Sequence, residues 1–223
     1  EYLRGSGGSA ADAALLYQAG LVESGAVRLS PAGARTWPDG TLLPHALGTV
    51  GAITAEQWAE LSGSGVAMDA LIGQSGLEAA YEQLLHGTDG RVRVTAGSAG
   101  VLTEEVTAEP QPGASLVLAL DAGLQRSVQT ALENHLAALR ETKAAGAGRE
   151  ANAGAVVVVD VATGGILAAA NAPSYDLAGY RSGYAALAAD PAAPLLDRTA
   201  QGLYAPGSAF KPAVAAAALS AGV

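Results

Sequence analysis

The tetrad Ser208-Ala209-Phe210-Lys211 sets a serine three residues before a lysine, with Pro206-Gly207 ahead of it and Pro212 behind. A serine hydroxyl stays protonated at neutral pH and is a poor nucleophile. It needs a base within reach and a place for the developing oxyanion. Three residues of helix put both side chains on one face, so Lys211 can be that base once burial or a neighbouring cation lowers its pKa. Phe210 and the alanine-rich run behind it can supply apolar surroundings, and a helix N-terminus favours negative charge on the serine oxygen. Pro206-Gly207 suits a tight turn into the helix. Pro212 is tolerated in the first turn, where its missing N–H has no intrahelical use. The same four residues also fit a serine capping the helix beside a solvated lysine, and on the tetrad alone that reading is the more economical.

The rest of the chain must position this pair. It has 223 residues, half of them hydrophobic and 4% aromatic, so it can bury a core built largely of alanine and valine. A formal charge of -9, from 21 acidic and 12 basic residues, with no Lys/Arg cluster, argues against nucleic acid or an anionic lipid surface as a partner. There is no cysteine, which excludes thiol catalysis, disulfides and thiolate metal sites. His45, His86 and His135 lack ligand spacing, so neither a metal nor a cofactor is expected. No apolar run spans a bilayer, and Glu1-Tyr2-Leu3-Arg4 does not read as a signal peptide. If the parent protein is exported or anchored, that segment is expected to lie outside this sequence.

Along the chain, residues 5–9 (Gly-Ser-Gly-Gly-Ser) read as a flexible linker, and a short helix is predicted from Ala10 to Gln18. Thr54 with Gln57 and Ser75 with Glu78 have the spacing of capping boxes. The second should open a helix reaching about Leu85, with His86 solvated or capping at its end. A strand is predicted over Arg91 to Thr95, then an extended connection over 96–113. The domain boundary falls near Pro110 to Gly113, giving domains 1–112 and 113–223. Beyond it we predict a strand from Ser115 to Leu120 and a long helix, capped by Asp121, from Ala122 to about Arg140. His135 lies beside that helix's apolar stripe and reads as partly buried and hydrogen-bonded. Gly154 to Val161 and Ile166 to Asn171 are too close for a crossover helix and predict an antiparallel hairpin. Residues 176–206 read as a long, turn-rich approach to a final helix from Ser208 to about Ser220.

The longer stretch from Tyr204 to Pro212 resembles the nucleophile motif of the class B (monofunctional) penicillin-binding proteins, the peptidoglycan D,D-transpeptidases. Ala209 stands where that family usually has threonine. Further stretches are similar in the family's own order. Arg35-Thr36-Trp37-Pro38 with His45, Leu47 and Gly48 resembles the lead into the pedestal, and Gly73-Gln74-Ser75-Gly76-Leu77-Glu78 resembles its characteristic helix. Leu118 to Gln125 matches the strand and helix before the catalytic domain. The run from Gly154 to Ala168 resembles its first strand pair, and Asn171-Ala172-Pro173-Ser174-Tyr175-Asp176 the stretch after it.

The resemblance implies an α+β protein: an elongated pedestal domain followed by an incomplete transpeptidase domain of the penicillin-binding, serine β-lactamase-like kind. It implies that Ser208 attacks the penultimate D-alanine carbonyl of a stem peptide, that Lys211 takes its proton, and that the Ser208 N–H supplies half of the oxyanion hole. β-Lactams would acylate Ser208 as substrate mimics. The family's Ser-x-Asn and Lys-Thr-Gly motifs do not occur after Lys211, where only residues 212–223 follow, so the chain alone is expected to be inactive. Implied partners are stem peptides, β-lactams and cell-wall synthesis proteins that dock on the pedestal. The implied location is the extracytoplasmic face of the bacterial membrane. The alternative is a non-enzymatic β-lactam sensor, or a pedestal module docking morphogenesis partners. Without further strands, the hairpin edge should be taken by a partner or order should be lost from residue 176 onward.

Overall fold

The computed structural model describes residues 10–22, 35–61, 63, 66–96, 102–142, 146, 148 and 150–222, so the Gly5–Ser9 linker lies outside the described residues. The chain divides into two units, residues 1–36 and 37–223. In the first, α1 spans Ala10–Gln18 as predicted, followed by Gly20 at φ 67°.

In the second unit, α2 (Pro44–Leu47) precedes β1 (Val50–Ala52), α3 (Ala55–Leu61) and β2 (Leu71–Gly73), and β1 pairs antiparallel with β2. The capping box of α3 forms as read. Thr54 N–H donates to Gln57 Oε1 at 3.0 Å, and Gln57 N–H donates to Thr54 Oγ1 at 3.3 Å. The second box does not form, because Ser75 Oγ is taken by Thr49, whose N–H and hydroxyl both reach it at 3.0 Å. Gly48, at φ 86°, makes that crossing possible: a Cβ there would lie 1.9 Å from Ser75 O. The expected helix after Ser75 is broken into α4 (Gly76–Ala80) and α5 (Glu82–Leu85). Glu82 binds Gly73 N–H with one carboxylate oxygen and His86 Nδ1 with the other, each at 2.7 Å, so His86 is partnered rather than solvated. The expected connection over 96–113 instead contains a strand. β3 (Arg91–Ala96) pairs antiparallel with β4 (Leu102–Ala108), with Val92 opposite Val106 and Arg93 bonded to Glu105 at 3.1 Å.

The core lies where α6 (Ala122–Glu141) packs on the hairpin of β5 (Gly154–Val159) and β6 (Ile166–Ala172). Asp121 caps α6 by accepting Leu124 N–H at 2.8 Å. Leu136 is buried, as are Ala168, Ala170 and Ala172 of β6, while Leu132 and Leu136 close on Gly154. The sheet can come this close because its facing residues are small. His135 points away and is exposed, correcting the partly buried reading; the buried stripe runs through Gln125 and Leu136.

The strand predicted over 115–120 does not form, and Val117 is 96% exposed. Its reason lies on β6. Gln125, only 2% exposed, donates from Nε2 to Ala169 O at 3.2 Å and accepts Ala169 N–H at 2.7 Å, while Gln129 Nε2 donates to Asn171 O at 2.8 Å. Side-chain amides thus occupy the backbone groups a neighbouring strand would use. Among the described residues the incoming chain bonds β6 at Leu167 O alone, from Asp121 N–H at 2.9 Å. β5 and β6 form a two-stranded sheet among the described residues.

Residues 176–206 also differ from expectation. Asp176 accepts Ala178 N–H at 2.9 Å and starts α7 (Leu177–Ala189), which the glycine-interrupted sequence concealed. A 3-10 turn (Gly207–Phe210) leads into α8 (Lys211–Ala221), so the final helix begins three residues later than predicted.

Candidate active site

Ser208 lies in the 3-10 turn and Lys211 opens α8; the Lys211 N–H bonds the Ser208 carbonyl, which places the two residues one turn apart. Gly207 enters this turn at φ 54°, in the left-handed region that favours glycine, and Pro206 precedes it at φ −71°. Pro212 stands in the first turn of α8, where no N–H is needed. No side chain caps either helical segment, so Ser208 is not the capping serine of the economical reading. Both residues are exposed, and neither Ser208 Oγ nor Lys211 Nζ has a hydrogen-bond partner among the described residues. The geometry brings Ser208 and Lys211 to one turn but provides no apolar wall around them. Residues 203–217 are all exposed, including Phe210.

Just upstream lies a cluster of polar groups in which Asn171 and Arg198 are buried and Asp197 and Thr199 partly buried. Asn171, 4% exposed at the end of β6, accepts the N–H groups of Arg198 at 2.6 Å and Thr199 at 3.2 Å on Oδ1, and donates to Asp197 Oδ1 at 3.1 Å. Asp197 Oδ1 also accepts the Thr199 hydroxyl at 2.5 Å and the Thr199 N–H at 3.0 Å. Burial pushes the Asp197 carboxyl up, but its bonds from Thr199 and Asn171 outweigh burial and hold it below the usual carboxylate range. Arg198, 8% exposed, spends its guanidinium on carbonyls: Ala192 O at 2.6 Å, Ala193 O at 2.9 Å and Leu196 O at 3.4 Å. These ties close the turn after α7 into a rigid block.

This block meets the segment around α2. His45 Nε2–H donates to Pro194 O at 2.7 Å, and its ring stands edge-on to Tyr175, with centroids 4.9 Å apart. Burial lowers the His45 pKa, against the pull of the Pro194 carbonyl and of Asp197. Tyr175 donates to Pro44 O at 3.4 Å, and burial, with Tyr180 and Asp197 nearby, raises its phenol to about 12. In the sequence Asn171 and Tyr175 stand out only within a family-like stretch, His45 also as a histidine without ligand spacing, and Asp197, Arg198 and Thr199 not at all. The available signal was an ionic pair, Asp197-Arg198, inside an Ala/Pro/Leu-rich stretch, since such charges are rarely buried without bonded partners.

Residues 11–118 match the family model of the penicillin-binding protein dimerisation domain, and residues 154–223 that of the penicillin-binding protein transpeptidase domain. The chain belongs to the penicillin-binding proteins. It is 38% identical over 199 residues to the peptidoglycan D,D-transpeptidase MrdA of Escherichia coli (strain K12), covering 85% of this chain and 29% of that protein. A solved peptidoglycan synthase complex aligns with TM-score 0.66 at 36% identity, over 84% of this chain and 33% of the matched one. The complex of PBP2 with MreC from Helicobacter pylori aligns with TM-score 0.71 at 26% identity, over 95% and 37%. The sequence therefore spans about three tenths of the curated relative's length.

Proposed function

We propose that this chain is part of a peptidoglycan D,D-transpeptidase in which Ser208 is the nucleophile and Lys211 its base. The observation that carries this reading is the end of the transpeptidase match. There Pro206-Gly207 turn the chain so that Ser208 and Lys211 stand one turn apart at the start of a helix. In the intact protein Ser208 Oγ bonds to the penultimate D-alanine carbonyl carbon, and its proton passes to Lys211 and on to the leaving amine. The C–N bond then breaks to free terminal D-alanine. The amine of a second stem peptide displaces Ser208 to make the cross-link. The Ser208 N–H supplies one oxyanion donor, and β-lactams acylate the same oxygen. General-base work by a lysine needs an apolar or cationic surround, and the exposed pair here supports the expectation that this chain alone is inactive.

Residues 1–112 serve as the pedestal and 113–223 as the start of the catalytic domain; the order of the two family matches, 11–118 then 154–223, supports a pedestal followed by a catalytic part. By analogy with the complex containing MreC, the pedestal receives a cell-wall morphogenesis partner on the extracytoplasmic face of the membrane, to which the full protein is anchored. Labelling the full-length protein with a fluorescent penicillin tests the assignment. The label should be recovered on Ser208, Ser208→Ala should abolish it, and Lys211→Ala should slow it by about 100-fold or more. Wild-type protein that takes no label, or takes it elsewhere, overturns the reading.

A further inference from the structure

We propose that Asn171, Asp197 and Thr199 form a clasp that positions the nucleophile: they fix where and in which direction the chain departs for Ser208, and so set how fast Ser208 is acylated. The inference rests on the transpeptidase reading, since it concerns the same serine.

Three observations carry it. First, the clasp is the last point at which the Ser208-bearing chain is held. Asn171 Oδ1 gathers two successive N–H groups, of Arg198 and Thr199, and Asp197 holds the Thr199 hydroxyl and N–H while its own carbonyl accepts Gln201 N–H at 2.7 Å. Beyond that, among the described residues, the hydrogen bonds of 203–222 run only to partners within the same stretch. Second, the clasp is itself fixed from the other side. The Asn171 carbonyl is bonded by Gln129 of α6, and Asn171 pairs with Ala155 in the hairpin, so it cannot shift without moving β6.

Third, the path from clasp to serine is short and closely turned. A Cβ on Gly202 would meet the Tyr204 ring at 2.4 Å and Arg198 O at 2.6 Å, so this turn closes tightly only on glycine. Pro206 then locks φ near −71° and Gly207 holds 54°. Residues 200–207 lie between Thr199 and Ser208, so a shift of the clasp moves the origin of the short segment that carries the serine. Attack needs the reacting atoms at about 3 to 3.5 Å in the correct alignment, and a displacement of about 1 Å costs on the order of 100-fold in rate.

Asn171, Asp197 and Thr199 are positioning residues, without contact to the reacting atoms. Their signature is a fall in the acylation rate constant with little change in the non-covalent affinity that precedes it. The test uses the full-length protein, stopped-flow acylation by a fluorescent penicillin, and titration of active sites. Thr199→Val should slow acylation severalfold and Asn171→Ala about tenfold or more, each with the pre-acylation dissociation constant within about twofold of wild type. Thr199→Ser, which keeps the hydroxyl on Asp197, should restore the wild-type rate. Wild-type rates in both Thr199→Val and Asn171→Ala overturn the clasp, as does a loss of titratable sites with an unchanged rate in those that remain. A Thr199→Ser variant as slow as Thr199→Val overturns it too. Hydrogen exchange over residues 200–208 separates this inference from the one beneath it. If wild-type protein never labels, the transpeptidase reading falls. Faster exchange confined to 200–208 in Asn171→Ala would then still support the clasp, and unchanged exchange would sink it.

Discussion

The cluster around Asn171 and the turn that carries Ser208 lie close along one chain, and they are built in opposite ways. The cluster takes Arg198 almost wholly out of water and answers its guanidinium with three carbonyls, while Asn171 and Asp197 satisfy the neighbouring backbone. The turn leaves Ser208, Lys211 and Phe210 facing solvent. Rigidity and reactivity are thus assigned to different segments. The first is completed by hydrogen bonds within this chain, whereas the chemistry proposed for the second needs a low-dielectric surround that residues 203–217 do not provide.

Breaking the rigid side should produce the largest effect. Arg198→Met removes a buried cation and strands three carbonyls, and should cost this chain about 3 kcal/mol of stability, read from the denaturant midpoint. A change below about 0.5 kcal/mol would erase the contrast. Next, Gln125→Ala leaves Ala169 N–H and O without partners at the β6 edge and should cost about 2 kcal/mol; Gln125→Glu, which keeps an acceptor but not the donor, should fall between.

A smaller effect is expected from pH. His45 has a folded pKa below its ordinary 6.5, so the unfolded chain takes up the proton first. Its contribution to stability is therefore full above 6.5, declines as pH falls below 6.5 toward the folded pKa, and then levels off. Asp197, held low, acts only in a separate window below its ordinary 3.8. Unfolding curves from pH 7.5 to 5 should show the first decline, and His45→Gln, which can still donate to Pro194 O, should flatten it. The smallest effect belongs to the exposed arm. Leu219 is 77% exposed, and Leu219→Ala should move the midpoint of this chain by less than about 0.5 kcal/mol. A loss approaching that of a core leucine would mean that α8 is packed and that the comparison fails.

Much of this was legible from local signals. The Thr54–Gln57 box, the Asp121 cap, the span of α6 and the β5–β6 hairpin follow from side chains that satisfy or pair backbone groups nearby in sequence. The hidden parts are those where a distant group outbid a local one. Ser75 has the spacing of a cap, yet its hydroxyl serves Thr49, because Gly48 and Gly76 let the backbones cross. Residues 115–120 have the composition of a strand, yet Gln125 and Gln129 already hold the β6 groups that strand would need. Leu177–Ala189 was passed over because Gly179 and Gly183 weaken its helical signal, although Asp176 caps it.

The sequence alone determined the order of family stretches and the placing of Ser208 three residues before Lys211, because covalent spacing and helical pitch settle which residues share a turn. Tertiary structure decided which polar residues carry the core. Asn171, Arg198 and Gln125 look like surface residues in composition, and burial is tolerable for them only because folding brings the partner carbonyls and N–H groups within 2.6 to 3.4 Å. No local pattern announces that, since for Asn171 and Gln125 the partners lie 26 to 44 residues away.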